Sequence, residues 1–148
     1  MTDTELAYAA ALIDGEGSIG IYFLVNPKYK LRGGQYQVRV TVTNTDPRMA
    51  LWLQARFGGT ITPGRSKVGH RPTTRWLVHT QKAAAMIALI RPYLITKGEQ
   101  ADVALAFRAT LGHKGVNEKG RPIRLPDGVW ELRTQLRDQI HVLNRKGA

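Results

Sequence analysis

The chain has 148 residues and no cysteine, so it suits one domain with its own core and leaves out disulfide frameworks and thiolate metal sites. Its formal charge of +11 is unevenly spread: thirteen basic residues and the single acid Asp46 lie between Gly17 and Gly98, a net +12, against −1 for the rest. So positive a segment favours a polyanion through counterion release, with nucleic acid as the first candidate and simple solubility as the other reading. The four histidines, at 70, 79, 113 and 141, are too scattered for a zinc site or a histidine-based nuclease motif. No apolar run reaches the length of a membrane span, and a start bearing Asp3 and Glu5 is unlike a signal peptide. A cytoplasmic or nucleoid-type compartment is expected, with no membrane partner and no small-molecule cofactor.

Residues 7–13 are apolar and alanine-rich, which predicts a helix able to approach a neighbour closely, and Gly15 and Gly17 stop it. Asp14 and Glu16 then fall at the C-terminus of that helix, where the macrodipole disfavours anions unless a cation is near. Carboxylates of this kind are the hard oxygen ligands that magnesium takes one or two at a time. Taken alone, the pair also fits a helix cap followed by a solvated loop residue.

Two strands come next. In residues 18–25, Ile19, Ile21, Phe23 and Val25 alternate with Ser18, Gly20, Tyr22 and Leu24. After the loop NPKYKLRGG, Tyr36, Val38, Val40 and Val42 alternate with Gln35, Gln37, Arg39, Thr41 and Thr43. The loop carries Lys28, Lys30 and Arg32 without an acid. Such a hairpin fits a major groove, where Arg and Gln pair with base edges and lysines at the tip meet phosphates; it also fits an ordinary solvated sheet. Asp46 and Pro47 begin a second helix that Gly58 and Gly59 end, with Met49, Leu51, Trp52, Leu53 and Phe57 as its expected core residues. A shorter pair of strands is expected near 60–67 and 73–79, bearing Arg65, Lys67, Arg71, Thr73 and Arg75, with Trp76 turned to the core. A third helix spans about 81–91, before Pro92. In the stretch PYLITKGEQA, Thr96 and Glu99 form a capping-box pattern that puts Lys97 in a first helical turn, against the dipole unless a phosphate is near. Beyond Gly112, residues 113–126 read as a basic loop, in which Lys114, Lys119, Arg121 and Arg124 are candidates for backbone contacts. Asp127 then begins a helix to about 144, with Val129, Trp130, Leu132, Leu136, Ile140 and Leu143 near helical spacing.

The nonapeptide AAALIDGEG, residues 9–17, resembles the LAGLIDADG motif of homing endonucleases and intron maturases. Ala10, Leu12, Ile13, Asp14 and Gly17 match as they stand, and Gly15 and Glu16 are common substitutions. Ala9 replaces a leucine and Ala11 a glycine, the latter widening the closest contact expected between two motif helices. A weaker match lies in PYLITKGEQA.

The resemblance implies an α+β fold: an αββαββα core of about residues 3–111 within a single domain 1–148, with the 112–126 loop and a helix 127–145 appended. Its four antiparallel strands form a saddle along DNA, with helices on the other side. One motif per chain implies a homodimer closed through Ala7, Ala10, Ala11 and Asp14, each copy reading half of a long pseudo-palindromic site. Glu16 and Gly15 would hold a divalent metal; manganese is expected to replace magnesium, and calcium to bind without supporting cleavage. Glu16, Lys97 and Asn44 would be catalytic, Lys97 beside the scissile phosphate and Asn44 ordering the attacking water. The DNA contacts would come from Ser18, Tyr22, Leu24, Asn26, Lys28, Lys30, Arg32, Gln35, Gln37, Arg39, Thr41, Arg65, Lys67, Arg71, Thr73 and Arg75. The implied activity is a double-strand break with short 3′ overhangs, serving intron or intein mobility. The alternative is a non-cleaving module on the same scaffold, an intron maturase or a transcriptional regulator.

Overall fold

The fourteen residues Asp3–Glu16 form helix α1, and strand β1 (Gly17–Val25) begins at the next residue with no loop between them. Gly17 makes this junction possible, because a Cβ there would lie 2.8 Å from Ile13 Cα. Its N–H still bonds the Ile13 carbonyl. At the other end of α1, Thr2 and Glu5 form a capping box. The architecture comes from a computed structural model that describes residues 1–28, 32–65, 67–111, 117–121 and 124–146. The remaining elements are β2 (Gly34–Asn44), α2 (Pro47–Phe57), β3 (Thr60–Pro63), β4 (Thr74–His79), α3 (Thr80–Ile90), a 3-10 turn (Arg91–Tyr93), α4 (Gly98–Arg108) and α5 (Asp127–Lys146).

The order helix, two strands, helix, two strands, helix is the expected one. The strands form one antiparallel sheet in the order β1-β2-β4-β3. Its register pairs Ile19 with Val40 and Val42 with Trp76, so one face is continuous with the core formed under α1, α3 and α4. Ile19, Ile21, Val38, Val40, Val42, Trp76 and Val78 are buried there. The other face carries Ser18, Tyr22, Arg39, Thr41, Thr43, Arg75 and His79, and the four strands contain no acid.

Several details depart from expectation. Strand β3 stops at Pro63, four residues short, so Arg65 and Lys67 lie on the loop to β4. Leu51, expected in the core, is 56% exposed; α2 rotates Ala50 and Leu53 inward instead. Leu132 is likewise exposed, while Leu136 and Ile140 anchor α5. Asp46 and Pro47 do open α2, the Asp46 side chain accepting the Arg48 N–H, and Gly58 ends it at φ 71°. Among the described residues no helix is long and apolar enough to cross a membrane.

Trp76 is fully buried, and its Nε1–H donates to the Gly58 carbonyl at 2.8 Å, tying the end of α2 to β4. Trp76→Phe is expected to cost about 1–2 kcal/mol and Trp76→Ala about 3–5 kcal/mol of unfolding free energy in urea titrations. A loss below about 0.5 kcal/mol for the alanine variant would contradict this role.

Candidate active site and nucleic-acid interface

The two motif carboxylates have different fates. Asp14 turns back into its own chain, where its carboxylate accepts hydrogen bonds from Ile95 N (2.7 Å), Thr96 N (3.2 Å), Thr96 Oγ1 (3.0 Å) and Lys97 N (3.0 Å). Lys97 returns the exchange by donating from Nζ to the Asp14 carbonyl at 2.7 Å. Asp14 thus serves the donors ahead of α4, and Lys97 supplies the cation that the end of α1 calls for. The expected Thr96 capping box is absent, because α4 starts one residue later: Lys97 is its N-cap and has no side-chain cap bond, while the Thr96 hydroxyl donates to Asp14. Asp14 was also expected at a dimer interface, and its carboxylate is engaged within the chain.

Glu16 is exposed and, among the described residues, its carboxylate has no hydrogen bond or ion pair. It lies at the junction of α1 and β1, with Gly15 exposed beside it. Since Gly17 pairs with Val42, Asn44 lies two residues beyond that pair at the same end of the sheet. Its Oδ1 accepts the Asp46 N–H at 2.8 Å, so half of its amide already holds the turn into α2. Around α1, Ala7 is half-buried and Ala11 exposed, while Ala10, expected with them at an interface, is fully buried. Helical geometry turns Ala10 with Ala9 and Ile13 towards the core and leaves Thr4, Ala7, Ala11 and Gly15 as an open strip of small residues.

The polar sheet face is only partly open. Ser18 and Thr41 pair their hydroxyls at 2.7 Å across the strands. The Tyr22 ring lies over Gly20, with the Arg39 guanidinium 5.2 Å from its centroid. Leu24 is half-buried and Gln35 exposed. Gln37, expected to contact DNA, is only 7% exposed, because Arg39 and His79 hold both ends of its amide. Arg32 is also withdrawn: it bonds Asp127 Oδ1 at 2.7 Å and the Leu125 carbonyl, and lies over Trp130 with its side chain 17% exposed. Opposite charge from α5 outcompetes a loop position there. Asn26 accepts the Lys28 N–H and shapes the turn, and Lys28 is exposed. Lys30 and Lys114 lie outside the described residues. Arg65, Lys67 and Arg71 are exposed, Thr73 and Arg75 half-buried. His79, absent from the residues that the sequence nominates for DNA contact, shares this face with Arg39 and Arg75; the alternation Arg75, Leu77, His79 is the signal that places it there.

No protein-family model and no curated protein matches the chain. Solved structures do. The homing endonuclease I-CvuI, crystallised with its target in the presence of calcium, matches over 95% of this chain and 82% of that one, with a TM-score of 0.74 and 23% identity. The archaeal intron-encoded homing endonuclease I-Vdi141I, complexed with DNA, matches over 95% and 84%, with a TM-score of 0.73 and 15% identity. The LAGLIDADG homing endonuclease I-GzeII, in complex with a DNA target, matches over 89% of this chain and 43% of its own, with a TM-score of 0.64 and 16% identity. The chain therefore has the LAGLIDADG homing endonuclease fold, as its nonapeptide implies.

Burial pushes the Asp14 pKa up, but the donors from Ile95, Thr96 and Lys97 outweigh this and hold it below the ordinary aspartate value. A carboxylate lowered in this way stabilises the fold above its unfolded pKa, and the contribution is lost as pH falls through the folded one. Asp14→Asn is expected to cost about 1–2 kcal/mol at neutral pH and less at pH 3, below the ordinary aspartate value of 3.8. Urea unfolding at the two pH values measures this, and equal losses at both would contradict it.

Proposed function

We propose that the protein is a homodimeric, divalent-metal-dependent homing endonuclease that makes a double-strand break in a long pseudo-palindromic DNA site. The observation that carries this reading is Glu16: an exposed, unpartnered carboxylate at the end of a helix whose open strip is small, beside a sheet face free of acids. Among the described residues no group of three His, Asp or Glu side chains is placed to hold a metal within one chain. A magnesium ion needs only one or two carboxylates when water and phosphate complete its shell. Glu16, with the Gly15 carbonyl of the last helical turn, therefore fits half of a site shared by two copies. Packing of the Ala7 and Ala11 strips about a dyad would bring the two halves together. The match to proteins crystallised with DNA supports the same partner.

A divalent ion held there by Glu16 and the Gly15 carbonyl would supply Lewis acidity towards the phosphate. The chain supplies position. Glu16 holds the ion side of the site, and Lys97, through Asp14, fixes the backbone that carries Glu16 while keeping a positive charge close to an incoming phosphate. Asn44 keeps its amide N–H groups for the attacking water. Arg39, Arg75 and the exposed loop cations Lys28, Arg65, Lys67 and Arg71 contact the duplex.

Selection from a randomised duplex library, run in magnesium and in calcium, tests the activity. Wild type is expected to recover one pseudo-palindrome, cut in magnesium and only bound in calcium. Glu16→Gln should bind the same site with cleavage slowed by a factor on the order of 10³ or more. Enrichment by binding with no cut product in any condition would move the protein to the maturase or regulator class.

The assembly is tested separately. Ala11→Arg places a long charged side chain in the strip, and sedimentation should then report a monomer that makes no double-strand break. A dimer with undiminished cleavage would rule out α1 as the interface.

A further inference from the structure

The sheet face contains a hydrogen-bond chain whose directions determine one another. Arg39 Nε–H can only donate, so the Gln37 atom 2.8 Å away is the acceptor Oε1. The other end of that amide is then the donor Nε2, which lies 3.0 Å from His79 Nδ1 and makes Nδ1 an acceptor. The Thr80 hydroxyl, 3.3 Å from the same nitrogen, donates instead to the His79 carbonyl at 2.8 Å. The ring proton of His79 therefore sits on Nε2.

Gln37 is 7% exposed, whereas His79 is exposed and lines an open depression of about 490 Å³ together with Thr60, Leu77 and Lys82. Arg39 is held at two points, Nε by Gln37 and the guanidinium over the Tyr22 ring, which leaves its terminal amino groups without a hydrogen-bond partner among the described residues. Arg39 and His79 are direct partners across β2 and β4. Adjacent strands are about 4.8 Å apart, and stacked base pairs about 3.4 Å, so two such side chains reach neighbouring base pairs.

We infer that Arg39 and His79 form a single base-reading unit: His79 presents its Nε2–H to a purine N7 or a guanine or thymine carbonyl in the major groove, beside the base pair Arg39 reads, and Gln37 is the positioning residue that sets both. This rests on the endonuclease reading and adds to it a specificity-determining residue. Gln37 passes direction as well as position. An acceptor-only side chain at 37 would still hold Arg39 but would require a proton on Nδ1, changing what His79 offers the groove.

The test has two arms. Long-range proton–nitrogen spectra of the free protein should show His79 with Nε2 protonated and Nδ1 bare; a proton on Nδ1 alone would overturn the proposal whatever the DNA does. In duplex selection, His79→Ala should lose about five- to tenfold discrimination at one or two adjacent base pairs of each half-site and leave the others unchanged. Its side chain caps nothing at the start of α3, so the fold is expected to survive. Gln37→Glu should alter preference at the same positions as His79→Ala. Unchanged or uniformly weakened preferences would overturn the inference alone. Failure of wild type to select any sequence would overturn the endonuclease reading, and this inference with it, even with the expected spectrum.

Discussion

The exchange between Asp14 and Lys97 is the contact on which the rest is hung. One helix ends and another begins at the same place, and each supplies the charge that the other's dipole needs. The carbonyl end of α1 receives an ammonium, and the amide end of α4 receives a carboxylate. Because α1 packs on β1, β2, α3 and the 3-10 turn, fixing its end fixes the centre of the molecule. Gly17 then starts the sheet without slack. The chemical consequence is that Asp14 is consumed and Glu16 is not, though only one residue separates them.

A similar sorting applies to the cations. Of the thirteen that make residues 18–97 so positive, Arg32, Arg48, Arg56 and Arg91 are paired with Asp127, Asp46, Glu5 and Asp102. Pairs as open as those of Arg48 and Arg91 add little stability, but all four remove positive charge from the set available to a polyanion. Arg39, Arg75, Lys28, Arg65, Lys67 and Arg71 have no carboxylate partner among the described residues. Net charge in the sequence thus overstates the number of unpaired cations in this segment.

Element order, strand faces and the core role of Trp76 were legible because alternation, glycine and proline are local signals. The end of β3 was less so, since Pro63 is tolerated on an edge strand and nothing nearby fixes where pairing stops. The candidate site was half legible. A motif can place Asp14 and Glu16 on one helix end, but which of them is free depends on residues 95–97, more than eighty positions away. Arg32 and Gln37 looked like open polar residues for the same reason: the groups that occupy them, Asp127 and His79, are distant in sequence. Ala10 turns with Ala9 and Ile13 into the core, and only packing reveals it.

The two hairpins of the sheet are braced differently, and this bears on how each tolerates substitution. The connection between β1 and β2 is floored by α5: Arg32 grips Asp127 and Trp130, and the Trp130 ring meets Phe23 and Tyr36. The connection between β3 and β4 is closed by its own backbone bonds, Gly64 to Thr73 and His70 to Lys67. The second loop borders the turn ahead of α2, where Arg71 and Pro72 share a depression with Thr45, Asp46 and Pro47, whereas substitution of Arg32 in the first also loosens the C-terminal helix. A change at Arg32 is therefore felt by the sheet and by the C-terminal helix at once, which makes the base of the first hairpin the less tolerant of the two.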